Sequence, residues 1–427
     1  MQLISKVLGG EVKAHTNSEF GTTLINFDTG SFLFKDLKKE STVFMSHDDS
    51  VTKLPSGFKS IAHSNRNPYE AIENSDKRIY CLQFHPEVRN TEEGLKIISN
   101  FLNNICKVKK EWKIDNYIDD LVNEIKKEVK DDKVILGISG GVDSSVCAAL
   151  IYKAIGNNLI PIFINHGLLR ENEENEVNKA FKDKRGIKVN YVDASELFLS
   201  RLKGISDPEE KRKIIGNTFI EVFKEEANKY KNVKYLAQGT IYADRVESGL
   251  GGNSKVIKSH HNVGGLPKEL GFKLLEPLKS LYKDETRELG KKLGLDESFV
   301  ARQPFPGPGL AIRIIGEVTK EKLEIVKRSD HILKEEIEKA NLTGSIWQFF
   351  AALSNIKSVG VMGDNRTYLY SVIIRAVTSI DGMTADFYHF PYEVLSKISN
   401  RIVNEVKGIN RVLYDVTSKP PSTIELE

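Results

Sequence analysis

The sequence is poor in cysteine and contains no long apolar run. Its three cysteines, Cys81, Cys106 and Cys147, are too few and too scattered for a disulfide framework or a zinc site. No apolar run approaches the ~20 residues that a membrane span requires. The N-terminus, MQLISKVLGG, lacks the charged, apolar and cleavage regions of a secretory signal peptide. These absences predict a cytoplasmic protein.

Neither sign of charge dominates the chain. Lys and Arg number 62 against 59 Asp and Glu, which gives a net charge of +3. Because the two signs are interspersed, the sequence predicts no nucleic-acid partner and no membrane-surface partner. The length of 427 residues allows two or three domains, each with its own core.

One stretch, DKVILGISGGVDSSVCAAL at residues 132–150, has the pattern of a strand, a turn and a helix. Val134–Ile138 form a short apolar run of strand length, and Gly140 and Gly141 supply a tight turn. The helix N-terminus that follows leaves N–H groups free to bind an anion. The turn lacks the Gly-Lys-Ser/Thr of a Walker A loop, so transfer of the γ-phosphoryl group is disfavoured. The alternative interpretation is an ordinary strand-to-helix turn with two glycines.

SGGVDSS resembles the signature loop of the ATP pyrophosphatases. These enzymes cleave ATP between the α- and β-phosphates, adenylate an oxygen of the substrate and release pyrophosphate. The resemblance implies that ATP is bound by the loop residues Ser139, Gly140, Gly141, Val142, Asp143, Ser144 and Ser145.

Strand and helix patterns alternate from residue 130 to about 300, including an acidic helix predicted at 171–184. This alternation predicts a doubly wound parallel sheet, with ligands bound beyond the carboxyl ends of its strands. The loop at 139–145 and residues 239–248 should then face one crevice. Asp244 and Glu247 could hold Mg²⁺ there against the ATP phosphates, although a solvated acidic turn is the alternative. Lys258 lies in a polar segment that could close as a lid over phosphate charge.

The first 105 residues contain several short strand patterns, among them Ser31–Phe34, and the motif LQFHPEV. A histidine just past a strand, with a carboxylate two residues later, suits a catalytic base and its partner. Together with MSHDDSVTKLPSGF, this motif resembles the class I glutamine amidotransferases. That resemblance implies that His85 is the base and Glu87 its carboxylate partner.

The nucleophile of that family is a cysteine on a strand-to-helix elbow, just upstream of a segment that Met1-Gln2-Leu3 resembles. Cys81 lies four residues before His85, roughly 13 Å away along a strand, which is too far for a Cys–His pair. We therefore expect a partial amidotransferase domain with an incomplete sheet and no glutaminase activity.

Beyond residue 301 a proline- and glycine-rich boundary precedes a small α+β unit. Its apolar sheet face would need a partner, which predicts a homodimer. Four motifs, PFPGPGLAIRI, SVGVMGDNRTY, RAVTSIDGMTAD and TSKPPSTIELE, make essentially the whole chain similar to the family of glutamine-hydrolysing GMP synthases. The resemblance implies three domains: a partial amidotransferase domain at 1–106, an ATP pyrophosphatase domain at 107–300 and a dimerisation and XMP-binding domain at 301–427.

That family makes GMP from xanthosine 5′-monophosphate (XMP), ATP and ammonia, and draws the ammonia from glutamine. The resemblance implies that XMP is bound by Arg212, Gln348, Lys419, Ile424 and Glu425. Two places depart from the family pattern: Asn165-His166 replaces the usual Asp-Asn, and Ala243 and Arg245 alter a turn. Two alternatives remain beside the complete enzyme: an ammonia-dependent synthetase without glutaminase activity, and a catalytically impaired nucleotide-binding remnant.

Overall fold

The computed structural model describes residues 1–14, 18–88, 90–109, 114–179, 181, 186–242, 244, 271–300, 302–379, 382 and 384–427. The chain forms two compact units, Met1–Trp112 and Lys113–Glu427. Glu247 and Lys258 lie outside the described residues, and so do Ala243 and Arg245. Among the described helices, none is both long and apolar enough to cross a bilayer.

The first unit is built on two antiparallel sheets, with strand orders β3-β2-β5-β6-β7 and β1-β4. Its elements are α1 Gln2–Val7, β1 Glu11–Lys13, β2 Glu19–Phe27, β3 Glu40–His47, β4 Ser50–Lys53, β5 Lys59–His63, β6 Ala71–Asn74, β7 Ile79–Leu82 and α2 Gly94–Asn100. In β3 every second residue is buried, among them Val43 and Met45. This alternation places one face of the strand on the core.

The predicted strand at Ser31–Phe34 is wrong. Phe32–Phe34 form one 3₁₀ turn, and the hydroxyl of Ser31 accepts a hydrogen bond from the Leu33 N–H at 3.2 Å. A serine that bonds its own neighbouring backbone offers the chain an alternative to a strand ladder. Leu33 and Phe34 are both buried, which the alternating pattern of a half-buried strand does not allow.

The second unit contains a five-stranded parallel sheet in the order β10-β9-β8-β11-β12. Its elements are α3 Ile114–Val129, β8 Lys133–Ile138, α4 Val142–Ile155, β9 Leu159–Asn165, α5 Glu173–Asn178, β10 Asn190–Asp193, α6 Ser195–Leu202, α7 Pro208–Asn228, β11 Val233–Ala237, β12 Lys273–Leu275, α8 Lys283–Lys292 and α9 Glu297–Val300. The α-helical part of the predicted acidic helix runs over Glu173–Asn178, and residues 180 and 182–184 of that prediction lie outside the described residues.

Helices cover both faces of this sheet, which confirms the doubly wound fold. Along β8, Val134 and Leu136 pack in a core with α3 and α4. Ile135, which points to the opposite face, packs in a core with Phe198 of α6 and Phe223 of α7. Strands buried on both faces read as continuous apolar runs, which is why the sequence revealed them.

The C-terminal part adds a second sheet, of order β13-β14-β15, in which β16 pairs with β14 in parallel. Its elements are α10 Lys320–Lys339, β13 Gln348–Met362, β14 Asn365–Ser379, β15 Ala385–Phe387, α11 Tyr392–Glu405 and β16 Ile409–Tyr414. The sequence pattern predicts strands near Ser358–Met362 and Ser371–Thr378, and β13 and β14 include these residues but are longer. One hydrophobic core joins Phe223 under the parallel sheet to Leu333 of α10 and Val372 of β14. The boundary between residues 300 and 301 therefore stays a prediction.

Candidate nucleotide-binding and synthetase site

The glycine-rich loop is a compact turn between β8 and α4. Gly140 adopts a left-handed conformation with φ of +75°, which few other residues adopt without strain. The hydroxyls of Ser139 and Ser144 lie 3.1 Å apart, and the hydroxyl of Ser145 donates to the Gly141 carbonyl at 2.7 Å. No side chain of the described residues caps α4, so its first-turn N–H groups point out of the helix without a cap. The loop thus has the geometry of an anion site.

The segment after β11 packs directly on this loop. A Cβ added to Gly239 would lie 2.8 Å from the carbonyl carbon of Asp143 and 2.9 Å from the backbone nitrogen of Ser144. Only a residue without a side chain fits so close to another backbone. Gly239 therefore contacts the loop, and a crevice shared by residues 139–145 and 239–248 stays a prediction.

Two cations contact the loop, and sequence reasoning missed both. Lys283, at the start of α8, donates to both carboxylate oxygens of Asp143 at 2.7 and 2.6 Å. Arg302 donates to the Gly140 carbonyl at 3.2 Å, while its guanidinium lies 4.1 Å from the centre of the Phe299 ring. Both residues lie about 140 or more positions from the loop, and Arg302 stands in a stretch whose prolines and glycines suggested only a boundary.

Asp244 lies in the turn after β11. Its Oδ2 accepts a hydrogen bond from the backbone N–H of Ile241 at 3.0 Å, which holds the carboxylate near the carboxyl end of the sheet. Glu247, its predicted partner, and Lys258 of the predicted lid lie outside the described residues. Their roles stay predictions.

The departure at Asn165-His166 forms a turn at the end of β9. The Asn165 amide donates to the Tyr191 hydroxyl at 2.7 Å, and its oxygen accepts from the Gly167 N–H at 2.8 Å. His166 is buried, and its Nδ1 accepts a hydrogen bond from the Leu168 N–H at 3.1 Å. Burial, with a smaller contribution from Lys327, lowers the pKa of His166 to about 4. The imidazole is therefore neutral in the folded protein at neutral pH, with its proton on Nε2.

This buried histidine should make the second unit sensitive to acid. The folded pKa lies below the ordinary value of 6.5, so the neutral ring contributes stability above pH 6.5 and loses it as the pH falls towards 4. We expect the free energy of unfolding to fall by about 2 kcal/mol between pH 7 and pH 5 through this group alone. Urea denaturation of the wild type and of His166→Asn at both pH values measures the difference. Equal pH dependence in the two proteins would contradict the assignment.

The C-terminal tail folds back onto α7 and β13. Glu425 accepts hydrogen bonds from Arg313 at 2.9 and 3.1 Å and from the Gln348 amide at 2.8 Å. Arg212 donates to the backbone carbonyl of Glu427 at 2.5 Å. The tail thus brings three of the predicted XMP residues together: Glu425 lies on it, and Arg212 and Gln348 bond to it. Arg313 was not predicted; it is fully buried, and its guanidinium lies 4.2 Å from the centre of the Phe350 ring.

Two further buried cations hold the same tail. Lys211 donates to the Ile314 carbonyl at 2.7 Å and pairs with the Glu427 side chain; burial lowers its pKa, and Glu427 partly offsets that effect. Arg375 donates to the carbonyls of Thr417 and Thr423 at 2.6 and 3.2 Å. The C-terminal tail is in this way held by residues that are distant from it in sequence.

The last two predicted XMP residues lie on the tail itself. Lys419 donates through Nζ to the Gly382 carbonyl at 2.7 Å, and its backbone pairs with that of Ala385. Ile424 is buried in a small apolar cluster with Phe350 and Ala385. Ile424 therefore contributes its backbone, rather than an exposed side chain, to any ligand site.

In the first unit, the structure brings together the predicted His85 and Glu87. The His85 Nδ1 lies 2.8 Å from the Glu87 carboxylate, and both side chains are exposed. Partial burial raises the pKa of Glu87, but hydrogen bonds from its own backbone N–H and from His85 outweigh it, so the pKa lies below its usual range. An ionised carboxylate that orients an imidazole fits a base and its partner.

A parallel sheet whose strand β8 leads through a serine- and glycine-rich loop into a helix that no described side chain caps is the arrangement expected of a nucleotide-dependent enzyme of the ATP pyrophosphatase class. Comparison with known proteins agrees. Residues 1–105 match the glutamine amidotransferase class-I family, residues 113–218 match NAD synthase, and residues 335–426 match the GMP synthase C terminal domain.

Similar proteins cover the whole chain. The GMP synthase [glutamine-hydrolyzing] of Limosilactobacillus reuteri is 59% identical over 428 residues, spanning 100% of this chain and 83% of the relative. The proteins of the same name from Lactobacillus gasseri and Clostridium botulinum are 57% and 54% identical, with the same coverage. The chain belongs to the GMP synthase family.

Proposed function

We propose that this chain is an ATP-dependent ligase that makes GMP from XMP and uses ammonia as the nitrogen donor. The observation that supports this reaction is the similarity of the whole chain to GMP synthases. In the first step the C2 oxygen of XMP bonds to the α-phosphorus of ATP, and the bond to the β-phosphate oxygen breaks to release pyrophosphate. Ammonia then bonds to C2, and AMP leaves with the C2 oxygen while protons are lost to solvent.

The pyrophosphate end of ATP would lie in the loop of Ser139 to Ser145. The observation that supports this placement is the uncapped start of α4, whose N–H groups favour an anion. The serine hydroxyls are turned inward onto the loop, so they fix its shape. Lys283 and Arg302 would hold the loop from outside.

Mg²⁺ is proposed at Asp244 and Glu247. Carboxylate oxygens are the donors that this hard cation prefers, and Asp244 is held at the carboxyl end of the sheet, where phosphates would lie. A bound Mg²⁺ would neutralise phosphate charge as pyrophosphate leaves. Lys258 is proposed to add a further positive charge from the lid.

XMP is proposed to bind against the C-terminal tail through Arg212, Gln348, Lys419, Ile424 and Glu425. The tail joins these residues by direct contacts, as described above. Arg212 supplies positive charge for the 5′-phosphate, while the Glu425 carboxylate and the Ile424 backbone suit the polar edge of a purine.

The amidotransferase part of the 427-residue chain is proposed to lack glutaminase activity. Burial raises the pKa of Cys81, so its reactive thiolate is disfavoured. Cys106 is exposed at the end of the helical segment Phe101–Ile105, 21 positions after His85, and Cys147 belongs to the second unit. His85 and Glu87 keep the geometry of a base and its partner, but no cysteine of this chain is assigned to them as the nucleophile.

Ammonium and glutamine should therefore differ as nitrogen donors. With XMP, ATP and Mg²⁺ present, we expect the purified chain to form GMP from ammonium chloride, while glutamine should give at most about 1% of that rate, the background without a nucleophile. GMP formation and pyrophosphate release are measured together. Glutamine-driven turnover would refute the missing glutaminase activity. Absence of XMP-dependent pyrophosphate release with either donor would instead favour a nucleotide-binding remnant.

Three further features are proposals. The division into domains at 1–106, 107–300 and 301–427 is proposed from the resemblance to the family, and a cytoplasmic location is proposed from the sequence.

A homodimer through the C-terminal domain is supported by apolar side chains exposed along the β13–β14 hairpin. These are Ile356, Val359, Val361 and Tyr368, exposed by 65, 45, 76 and 64%.

A further inference from the structure

A buried cluster of two carboxylates and one imidazole lies in the first unit, away from His85 and Glu87 in sequence. Glu19 on β2 stands directly opposite His47 on β3, and Glu70 lies just before β6. The three are exposed by 3, 9 and 0%. One ligand atom from each lies within 4.8 Å of the others.

Several polar atoms of this cluster have no hydrogen-bond partner among the described residues. They are Glu19 Oε2, both ring nitrogens of His47 and both carboxyl oxygens of Glu70. Leaving buried polar atoms unpaired costs about 1–3 kcal/mol each, so an unsatisfied group of this size needs an explanation.

The surrounding backbone holds the cluster in place. Ser64 Oγ accepts hydrogen bonds from the N–H groups of Arg66 and Asn67 at 3.1 and 3.0 Å, so its own proton is donated to Glu19 Oε1 at 3.2 Å. Glu19 Oε1 is therefore an acceptor, and Oε2 is left 3.5 Å from His47 Nε2. The backbone of Glu70 is fixed on both sides, to Ala62 and to Gln83. A hydrogen bond that orients a carboxylate in this way is typical of the surroundings of a metal ligand.

We propose that Glu19, His47 and Glu70 bind one divalent transition-metal cation of the Zn²⁺ type. Zn²⁺ lies about 2.0–2.2 Å from nitrogen and oxygen ligands, so the ligand atoms around a tetrahedral ion stand ~3.3–3.6 Å apart. Glu19 Oε2 and His47 Nε2 are already 3.5 Å apart. Ligand atoms of the cluster that stand as far as 4.8 Å apart would have to approach each other by roughly 1 Å. One imidazole and two carboxylates suit a borderline cation, whereas Mg²⁺ and Ca²⁺ prefer six or more oxygen ligands. A surface cleft of about 470 Å³ is lined in part by Ser64, the residue that donates to Glu19.

The test is zinc binding by the full 427-residue chain after treatment with a chelator. We expect one Zn²⁺ per chain to bind at this site, measured by isothermal titration and by metal analysis after gel filtration. His47→Gln and Glu70→Gln should each lower the affinity of that equivalent about 100-fold or more, because a ligand is lost. Mg²⁺ at millimolar concentration should not displace the zinc.

Two controls separate metal binding from folding. His389→Gln removes an exposed histidine of the second unit and should keep the zinc equivalent. Glutamine has nearly the size and shape of glutamate and keeps polar atoms at the same place, so Glu70→Gln should fold. Circular dichroism and ammonia-dependent GMP synthesis should be unchanged in these variants. Zinc binding by Glu70→Gln and His47→Gln equal to the wild type, or no bound equivalent in the wild type, would overturn the proposal and leave two carboxyls that share a proton.

Discussion

Replacing Gly239 with alanine should lower kcat/KM for ATP about 100-fold, because Ser139–Ser145 is the proposed site of the pyrophosphate and a displacement of this loop by up to about 1 Å costs that much. The new methyl group would lie under 3 Å from backbone atoms of Asp143 and Ser144. Backbone cannot rotate aside as a side chain does, so the loop or the end of β11 has to move. The first-turn N–H groups of α4 would then no longer converge on the departing pyrophosphate.

Steady-state kinetics with saturating XMP and ammonium measure this effect. Gly344→Ala is a matched control, because it adds the same methyl group at an exposed position with nothing within 4 Å. We expect the control to keep wild-type kcat/KM. If the two variants were equally active, the loop would not be the part of the molecule that binds ATP.

Replacing Arg375 with methionine should destabilise the second unit by about 3 kcal/mol and release the C-terminal tail. Arg375 is fully buried and donates to Thr417, Ser422 and Thr423 of the tail, while its ion pair with Asp415 spans 3.3 Å. Methionine fills the volume but leaves these oxygens without donors. Because the tail holds Lys419, Ile424 and Glu425, the KM for XMP should rise at least 10-fold.

Tryptophan fluorescence during urea denaturation measures the loss of stability. The chain has two tryptophans, so in a Trp112→Phe background the signal comes from Trp347, which lies beside Gly382 near the tail. Arg366→Met at the exposed end of the hairpin is the control and should change stability by under about 0.5 kcal/mol. A tail that exchanged its amide hydrogens at wild-type rates in Arg375→Met would argue against this anchoring role.

The sequence predicted well where local pattern decides structure. Apolar residues recur at helical spacing between residues 114 and 129, which predicts a helix with one apolar face. The structure has this helix as α3, and the five residues on that face are all buried: Ile114, Ile118, Leu121, Ile125 and Val129. The loop between β8 and α4 was also evident, since its glycines and its flanking apolar runs are local signals. His85 and Glu87 are two residues apart and meet as expected.

Contacts between distant parts of the chain could not be predicted in this way. Lys283 meets Asp143 across 140 positions, and Arg313 meets Glu425 across 112. No periodicity marks such pairs, because they depend on how the sheets and helices pack. Arg313 and Arg375 moreover stand in apolar segments, where their full burial depends on partners supplied by the tail. Ser31–Phe34 was predicted wrongly because a side-chain hydrogen bond, rather than strand propensity, decides its conformation.

The hydrophobic core that continues from the face of the parallel sheet covered by α6 and α7 into α10 and β14 limits how this enzyme can be dissected. A polypeptide cut at residue 300 would leave Phe223 and its neighbours facing water, and the severed C-terminal half would expose Leu333 and Val372. Recombination of halves between relatives would succeed only if the two buried surfaces still fitted each other. The parts of the second unit before and after residue 300 are therefore expected to fold together and to have changed together in evolution.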